Sequence, residues 1–151
     1  MNFWVMWITS FLVSFLAMEF VAWWLHKYVM HGFLWVLHED HHIIRKDRKW
    51  QKNDFFALMF AIPSFFAILF GGIYNWPIIE GAGFGVTAYG LAYFLVHEII
   101  IHRRWKWFNV NNKYVYAIRL AHAHHHQVKT KEGAKNFGML VPPPNYLKTN
   151  N

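Results

Sequence analysis

Three stretches of this chain carry almost no charge, and each is long enough to cross a bilayer. Phe3 to Leu25 is apolar for 23 residues, with Glu19 its one charged side chain. Phe55 to Tyr74 has no charge at all, and Gly81 to Ile101 has Glu98 near its end. A helix of about 20 residues spans the hydrocarbon core. Three such runs in 151 residues are not the pattern of a soluble core. The expected fold is an all-α membrane protein, a single integral-membrane domain over residues 1–151. It has about three transmembrane helices (about 3–25, 55–74 and 81–101), a fourth or a broken helix also being compatible with the pattern. The first run is expected to stay in the chain rather than be cleaved. No basic residue precedes it, and no small-x-small site ends it.

The second and third runs are joined by Asn75-Trp76-Pro77-Ile78-Ile79-Glu80. This reads as a tight turn with an interfacial tryptophan, hence a helical hairpin. Pro63 is expected to kink the second run. Gly81-x-x-x-Gly85 allows a close helix approach. All fifteen lysines and arginines lie either between runs one and two or after run three. Lysine and arginine stay cytoplasmic. The N-terminus and the Asn75–Glu80 turn are therefore expected outside a cytoplasmic membrane. Residues 26–54 and 102–151 are expected in the cytosol as a helical, histidine-rich cap, with a frayed tail over 145–151. The basic segment Arg45-Lys46-Asp47-Arg48-Lys49 then reads as a topology signal and headgroup contact. A nucleic-acid partner is not expected; an acidic redox partner is compatible with this charge.

Composition removes several classes. Apolar residues make up 56% and aromatics 21%, which excludes a disordered chain. There is no cysteine, so disulfide scaffolds, thiolate-bound zinc and cysteine nucleophiles are excluded.

What remains is histidine. The chain has eleven, and ten form a repeated pattern: His26-x4-His31 and His38-x2-His41-His42, then His97-x4-His102 and His122-x2-His125-His126. His124 falls outside it. Each pair of boxes follows an apolar run. Imidazole is the commonest side-chain metal ligand, and a pH sensor has no need of such spacing. Positions i, i+3 and i+4 share a helix face, so His38, His41 and His42 can converge, as can His122, His125 and His126. His26 and His31 do not align, because five residues of α-helix rotate by about 140°. The four-residue gap serves a different metal, or a helix breaks near Gly32, or the boxes straddle two packed helices.

Ten ligands are too many for one ion and suit a pair. Imidazole accepts zinc, copper, iron and nickel. A hydrolytic zinc site needs only three protein ligands plus water. A histidine-rich pair beside lipid points instead to iron and oxygen. Glu98, Asp40 and Asp54 are the carboxylates nearest the boxes in sequence and candidates to hold ligand N–H groups. Glu19 is an ionisable group within a span and therefore a functional candidate. It sits seven positions before His26. A bis-histidine haem carrier would need histidines within the spans. A metal transporter would place ligands near the midplane. Neither fits.

The four boxes resemble the membrane fatty-acid hydroxylase and desaturase superfamily. Met18-Glu19, His26-Lys27-Tyr28-Val29-Met30-His31-Gly32, Asn53-Asp54, Gly81-Ala82-Gly83, Thr87-Ala88-Tyr89-Gly90, Ala121-His122 and Lys131-Glu132-Gly133 resemble the bacterial β-carotene hydroxylases within it. The resemblance implies a non-haem di-iron oxygenase. Such an enzyme uses O2 and two electrons per step to hydroxylate carbon 3 of a β-ionone ring, giving β-cryptoxanthin and then zeaxanthin. It implies electrons from NAD(P)H through a reductase and a ferredoxin-type donor. It also implies that His26, His31, His38, His41, His42, His97, His102, His122, His125 and His126 are the ligands. A carotenoid ketolase and a lipid desaturase or hydroxylase are the alternatives within the superfamily. Since the carotenoid has no polar handle, Phe20, Trp23, Trp24, Tyr93 and Phe94 are candidate substrate contacts.

Overall fold

The computed structural model describes residues 2–43, 50–104 and 110–148. Its described elements are helical: α1 (Phe3–Leu25), a π-helix π1 (His26–Phe33), α2 (Trp35–His42), a 3-10 turn (Lys52–Asp54), α3 (Phe55–Ile73), α4 (Pro77–Phe94), a second π-helix π2 (Leu95–Ile101), α5 (Lys113–His126) and α6 (Pro144–Leu147). Among the described residues, three continuous helices are long and apolar enough to cross a membrane: Phe3–Phe33, Lys52–Ile73 and Pro77–Ile101. At most 22% of any of their most apolar windows is buried within the protein, so these surfaces suit contact with lipid. The expected Arg45–Lys49 patch and residues 149–151 of the expected tail lie outside the described residues.

The chain forms two compact units. The first comprises Met1–Phe20 and Asp54–Ala92. Here the turn between α3 and α4 is shorter than the sequence suggests, because helix resumes at Pro77, where a missing N–H costs nothing. Asn75 takes the left-handed conformation the turn needs, at φ 53°. The Trp76 N–H bonds the Gly71 carbonyl at 2.8 Å. Glycine lets the three helices touch backbone to backbone. A Cβ at Gly81 would overlap the Trp7 carbonyl, and one at Gly85 would overlap Phe11 O and Ser14 Oγ. On the other face, a Cβ at Gly83 would lie 2.9 Å from Ser64 O. The Gly81-x-x-x-Gly85 motif is thus the α1–α4 crossing. Polar side chains bridge the helices of this apolar unit: Ser10 Oγ donates to Ile78 O at 2.6 Å and Tyr89 Oη donates to Glu19 Oε2 at 2.7 Å.

The second unit comprises Val21–Asn53 and Tyr93–Asn151. α5 starts where Asn112 Oδ1 accepts the Val115 N–H at 2.8 Å. Its buried face is Val115, Ala117, Ile118, Ala121, His122 and His125, an apolar stripe at helical spacing that ends in imidazoles. After α5 the chain crosses residues 127–143 without regular structure and ends in α6. The tail expected to fray from residue 145 therefore continues as helix to Leu147.

Candidate metal centre

The π-helices solve the spacing problem that an α-helix leaves open. In a π-helix the N–H of residue i+5 bonds the carbonyl of residue i, so residues five apart stack one turn above another. The His102 N–H bonds His97 O at 2.9 Å, and the Leu34 N–H bonds Val29 O at 3.0 Å. The rings of His26 and His31 lie 5.4 Å apart, and those of His97 and His102 4.5 Å apart. The expected 140° divergence does not occur, because it assumes 3.6 residues per turn. The break near Gly32 is also present: Gly32 leaves helical geometry at φ −108° and ψ −125°, after which the chain starts α2.

Among the described residues ligand atoms converge in two sets, all buried except the half-buried His102. The first is His26, His31, His38, His42 and His125; the second is His41, His97, His102 and His122; within each, the ligand nitrogens lie within 4.8 Å of one another. The HxxHH boxes do not act as units, which corrects the expectation that each converges. His38 and His42, four apart, join the first set while His41 joins the second. His125 likewise leaves His122 for the first set. His126 stands outside both sets, its ring 4.4 Å from His122, 4.6 Å from His41 and 4.5 Å from His42. Its Nε2 is buried without a hydrogen-bond partner, as is that of His41.

The tautomers of the first set follow from its outer contacts. His26 Nδ1–H donates to Phe137 O at 3.0 Å, His31 Nδ1–H to Lys131 O at 3.0 Å, and His42 Nδ1–H to Val128 O at 2.8 Å. His125 Nδ1–H donates to Lys135 O at 2.8 Å and His38 Nδ1–H to Asn53 Oδ1 at 2.6 Å. Every Nε2 then carries a lone pair. Yet Nε2 atoms face one another at 3.1 Å (His26–His38 and His31–His42) and 3.2 Å (His31–His125 and His42–His38). Two unprotonated nitrogens at that distance repel; they have no proton to share. A cation between them removes the conflict. Two nitrogens bound at about 2.1 Å and at right angles lie about 3.0 Å apart. The donor set therefore fits a metal ion.

In the second set, His41 Nδ1–H donates to Gln51 Oε1 at 2.9 Å, and the His102 and His122 Nε2 atoms are 3.0 Å apart. His97 Nδ1–H meets Glu98 Oε1 at 2.6 Å, and Arg104 Nε lies 2.5 Å from the other carboxylate oxygen. Burial keeps these imidazoles neutral and ready to bind. It pushes His42 and His102 down to about 4, His125 to about 3 and His38 to about 2; it also lowers His41, His122 and His126, with neighbouring histidines adding to the effect.

The other carboxylates divide. Asp40 Oδ2 accepts the Lys52 N–H at 2.7 Å, so it steadies the segment bearing Gln51 and Asn53 rather than touching an imidazole through that oxygen. Asp54 is the N-cap residue of α3 and belongs to the first unit, without a side-chain cap bond. Glu19 also belongs to the first unit, where it meets Tyr89. Of the candidate aromatics, Tyr93 packs on His97 at 5.3 Å. Trp23 and Trp24 contact Tyr28 at 6.1 and 5.9 Å, and Lys27 Nζ lies 5.2 Å from the Trp23 ring centroid. Phe20 and Phe94 are exposed. Sequence reasoning missed Trp35, 5.0 Å from His31, and Phe137, 5.2 Å from both His31 and His125. It also missed Gln51 and the carbonyls of residues 128–137. Trp35 lies between two boxes and was findable; nothing near the boxes in sequence marks Phe137.

Residues 11–147 match the model of the fatty acid hydroxylase family. The chain belongs to that family. Among its relatives, a β-carotene hydroxylase of Pantoea ananas is 40% identical over 93% of this chain and 81% of its own length. A β-carotene hydroxylase of Paracoccus sp. (strain PC1) is 35% identical over 91% of the chain and 86% of its length. A chloroplastic β-carotene 3-hydroxylase of Arabidopsis thaliana is 36% identical over 84% of this chain and 42% of its own length. No solved structure matches. This fatty acid hydroxylase family member thus carries its ten box histidines in one unit, nine of them in two sets.

Proposed function

We propose that the chain is an integral-membrane β-carotene 3-hydroxylase that works through two non-haem iron ions. The observation that carries this reading is the pair of buried imidazole sets, one with its lone pairs forced together. The reaction turns a C–H bond at carbon 3 of a β-ionone ring into C–OH. One atom of O2 enters the product and the other leaves as water, with two electrons and two protons consumed per step. Two steps give β-cryptoxanthin and zeaxanthin. Bound iron supplies the O2-activating redox chemistry.

The residues have distinct tasks. His26, His31, His38, His42 and His125 hold one ion; His41, His97, His102 and His122 hold the other. The internal repeat makes His126 the counterpart of His42, so His126 completes the second set. Backbone carbonyls, Asn53, Gln51 and Glu98 fix the imidazole tautomers. Glu98 also brings negative charge to an otherwise neutral ligand shell, and Arg104 holds its other oxygen. Tyr93, Trp23, Trp24, Phe20 and Phe94 contact the substrate by shape. Electrons come from a ferredoxin-type donor fed by NAD(P)H. Cells that accumulate β-carotene are expected to form zeaxanthin on expression of the chain. Keto products, or unchanged pigment with altered lipids, would select the ketolase or lipid-oxidising alternatives.

Metal analysis of the purified protein is expected to return two ions per chain. Zinc can take the place of iron on overexpression, because it binds imidazole more tightly. A single ion per chain with all ten histidines intact would rule out the dinuclear reading.

The charge distribution supports an N-terminus outside the cytoplasmic membrane and the histidine boxes in the cytosol. Single cysteines are informative, since the chain has none. Trp50→Cys and Lys148→Cys are expected to resist an impermeant thiol reagent in intact cells, and Asn75→Cys to react. Labelling of Trp50→Cys and Lys148→Cys from opposite sides would defeat this arrangement.

A further inference from the structure

His124 is the one histidine outside the repeat, and it is tied to the end of the chain. Its Nδ1 lies 2.9 Å from Tyr146 Oη. The same hydroxyl accepts a hydrogen bond from Asn136 Nδ2 at 2.7 Å, and Asn136 Nδ2 also reaches the Ala121 carbonyl of α5 at 3.3 Å. Either as donor or as acceptor, His124 Nδ1 is engaged with that hydroxyl rather than with the histidine sets.

Asn136 stands in the left-handed conformation at φ 61°, which asparagine tolerates better than most residues. Its two neighbours are the residues whose carbonyls hold ligands: Lys135 O accepts from His125 at 2.8 Å and Phe137 O from His26 at 3.0 Å. A tether on Asn136 therefore sets two of the hydrogen bonds that fix tautomers in the first set.

We propose that His124, Tyr146 and Asn136 form a clamp through which the C-terminal helix α6 positions His125 and His26 and so controls how tightly the first metal ion is held. These are positioning residues; none touches a reacting atom. The proposal rests on the reading of the histidines as metal ligands. Cutting the clamp frees the 135–137 carbonyls, and the two imidazoles lose their fixed tautomer and orientation. Loss of such outer partners weakens metal binding by roughly 10–100-fold.

The test uses the purified, metal-loaded full chain in detergent. Metal release into excess chelator is followed for wild type, Tyr146→Phe and Asn136→Gly. The first variant removes only the shared hydroxyl; the second keeps the backbone turn and deletes the tether. One of the two ions is expected to leave roughly tenfold faster in both variants or more, with the other at the wild-type rate. Tyr114→Phe serves as a control, since it cuts a different tether, the bond from Tyr114 Oη to the Leu140 carbonyl. It is expected to release both ions as wild type does. Equal acceleration of both ions, or none, overturns the clamp. Two ions in wild type with unchanged release in the variants refutes the clamp alone; a wild type with no stoichiometric metal refutes the di-iron reading itself.

Discussion

His125→Ala is expected to lose at least roughly 100-fold in hydroxylation, while its neighbour His124→Ala keeps substantial activity. Loss of a group bonded directly to a ligand costs roughly 10–100-fold; His125 is itself in the ligand set, whereas His124 bonds Tyr146. His125 is fully buried, shares the first set, and has its Nδ1–H committed to Lys135 O. Its alanine variant deletes a donor and opens a void among four other imidazoles. His124 sits on the same helix but is exposed and meets Tyr146. Its loss loosens a tether without emptying a coordination position. Pigment analysis and metal content measured together check this. Equal and complete loss of activity in both variants would make His124 a ligand and break the box assignment.

The second large effect lies away from the metal centre. Gly85→Ala is expected to lower the melting temperature of the detergent-solubilised protein by several degrees, whereas Gly90→Ala leaves it unchanged or raises it. A methyl at Gly85 would meet Phe11 O and Ser14 Oγ, and the first of these is backbone that can move only if α1 moves. Overpacking of this kind costs about 1–3 kcal/mol, worth about 2–4 °C per kcal/mol in a chain of this size. At Gly90 nothing lies within 4 Å, so only the helix-favouring effect of alanine remains. A thermal scan of the two variants reads the sign directly. Equal melting temperatures would mean that the α1–α4 crossing is not close.

Much of the fold is legible in the sequence, because its dominant signals are local. An apolar run near 20 residues, glycines four apart and a Pro-containing turn each reflect a short-range constraint. The histidine pattern is equally visible, since the same two boxes occur twice between His26 and His126. What the sequence conceals is helix type. Nothing in His26-Lys27-Tyr28-Val29-Met30-His31 distinguishes five residues of α-helix from one wider turn. The ring alignment therefore appears only once the hydrogen bonds are seen. The splitting of each HxxHH box is hidden for another reason. His41 and His42 are adjacent and both buried, and the choice of set depends on partners distant in sequence; His31 and His125, which meet in the first set, are 94 residues apart. The carbonyls of residues 128–137 are hidden most deeply, because a backbone oxygen leaves no mark on residue identity.

The exchange of His41 and His125 between the sets has a consequence for how the centre comes into being. Each half of the repeat lends its middle imidazole to the other half's cage, so neither half carries a finished site. Neither half can be cut from the chain and keep a complete cage, and the centre comes into being only when residues 26–42 meet residues 97–126.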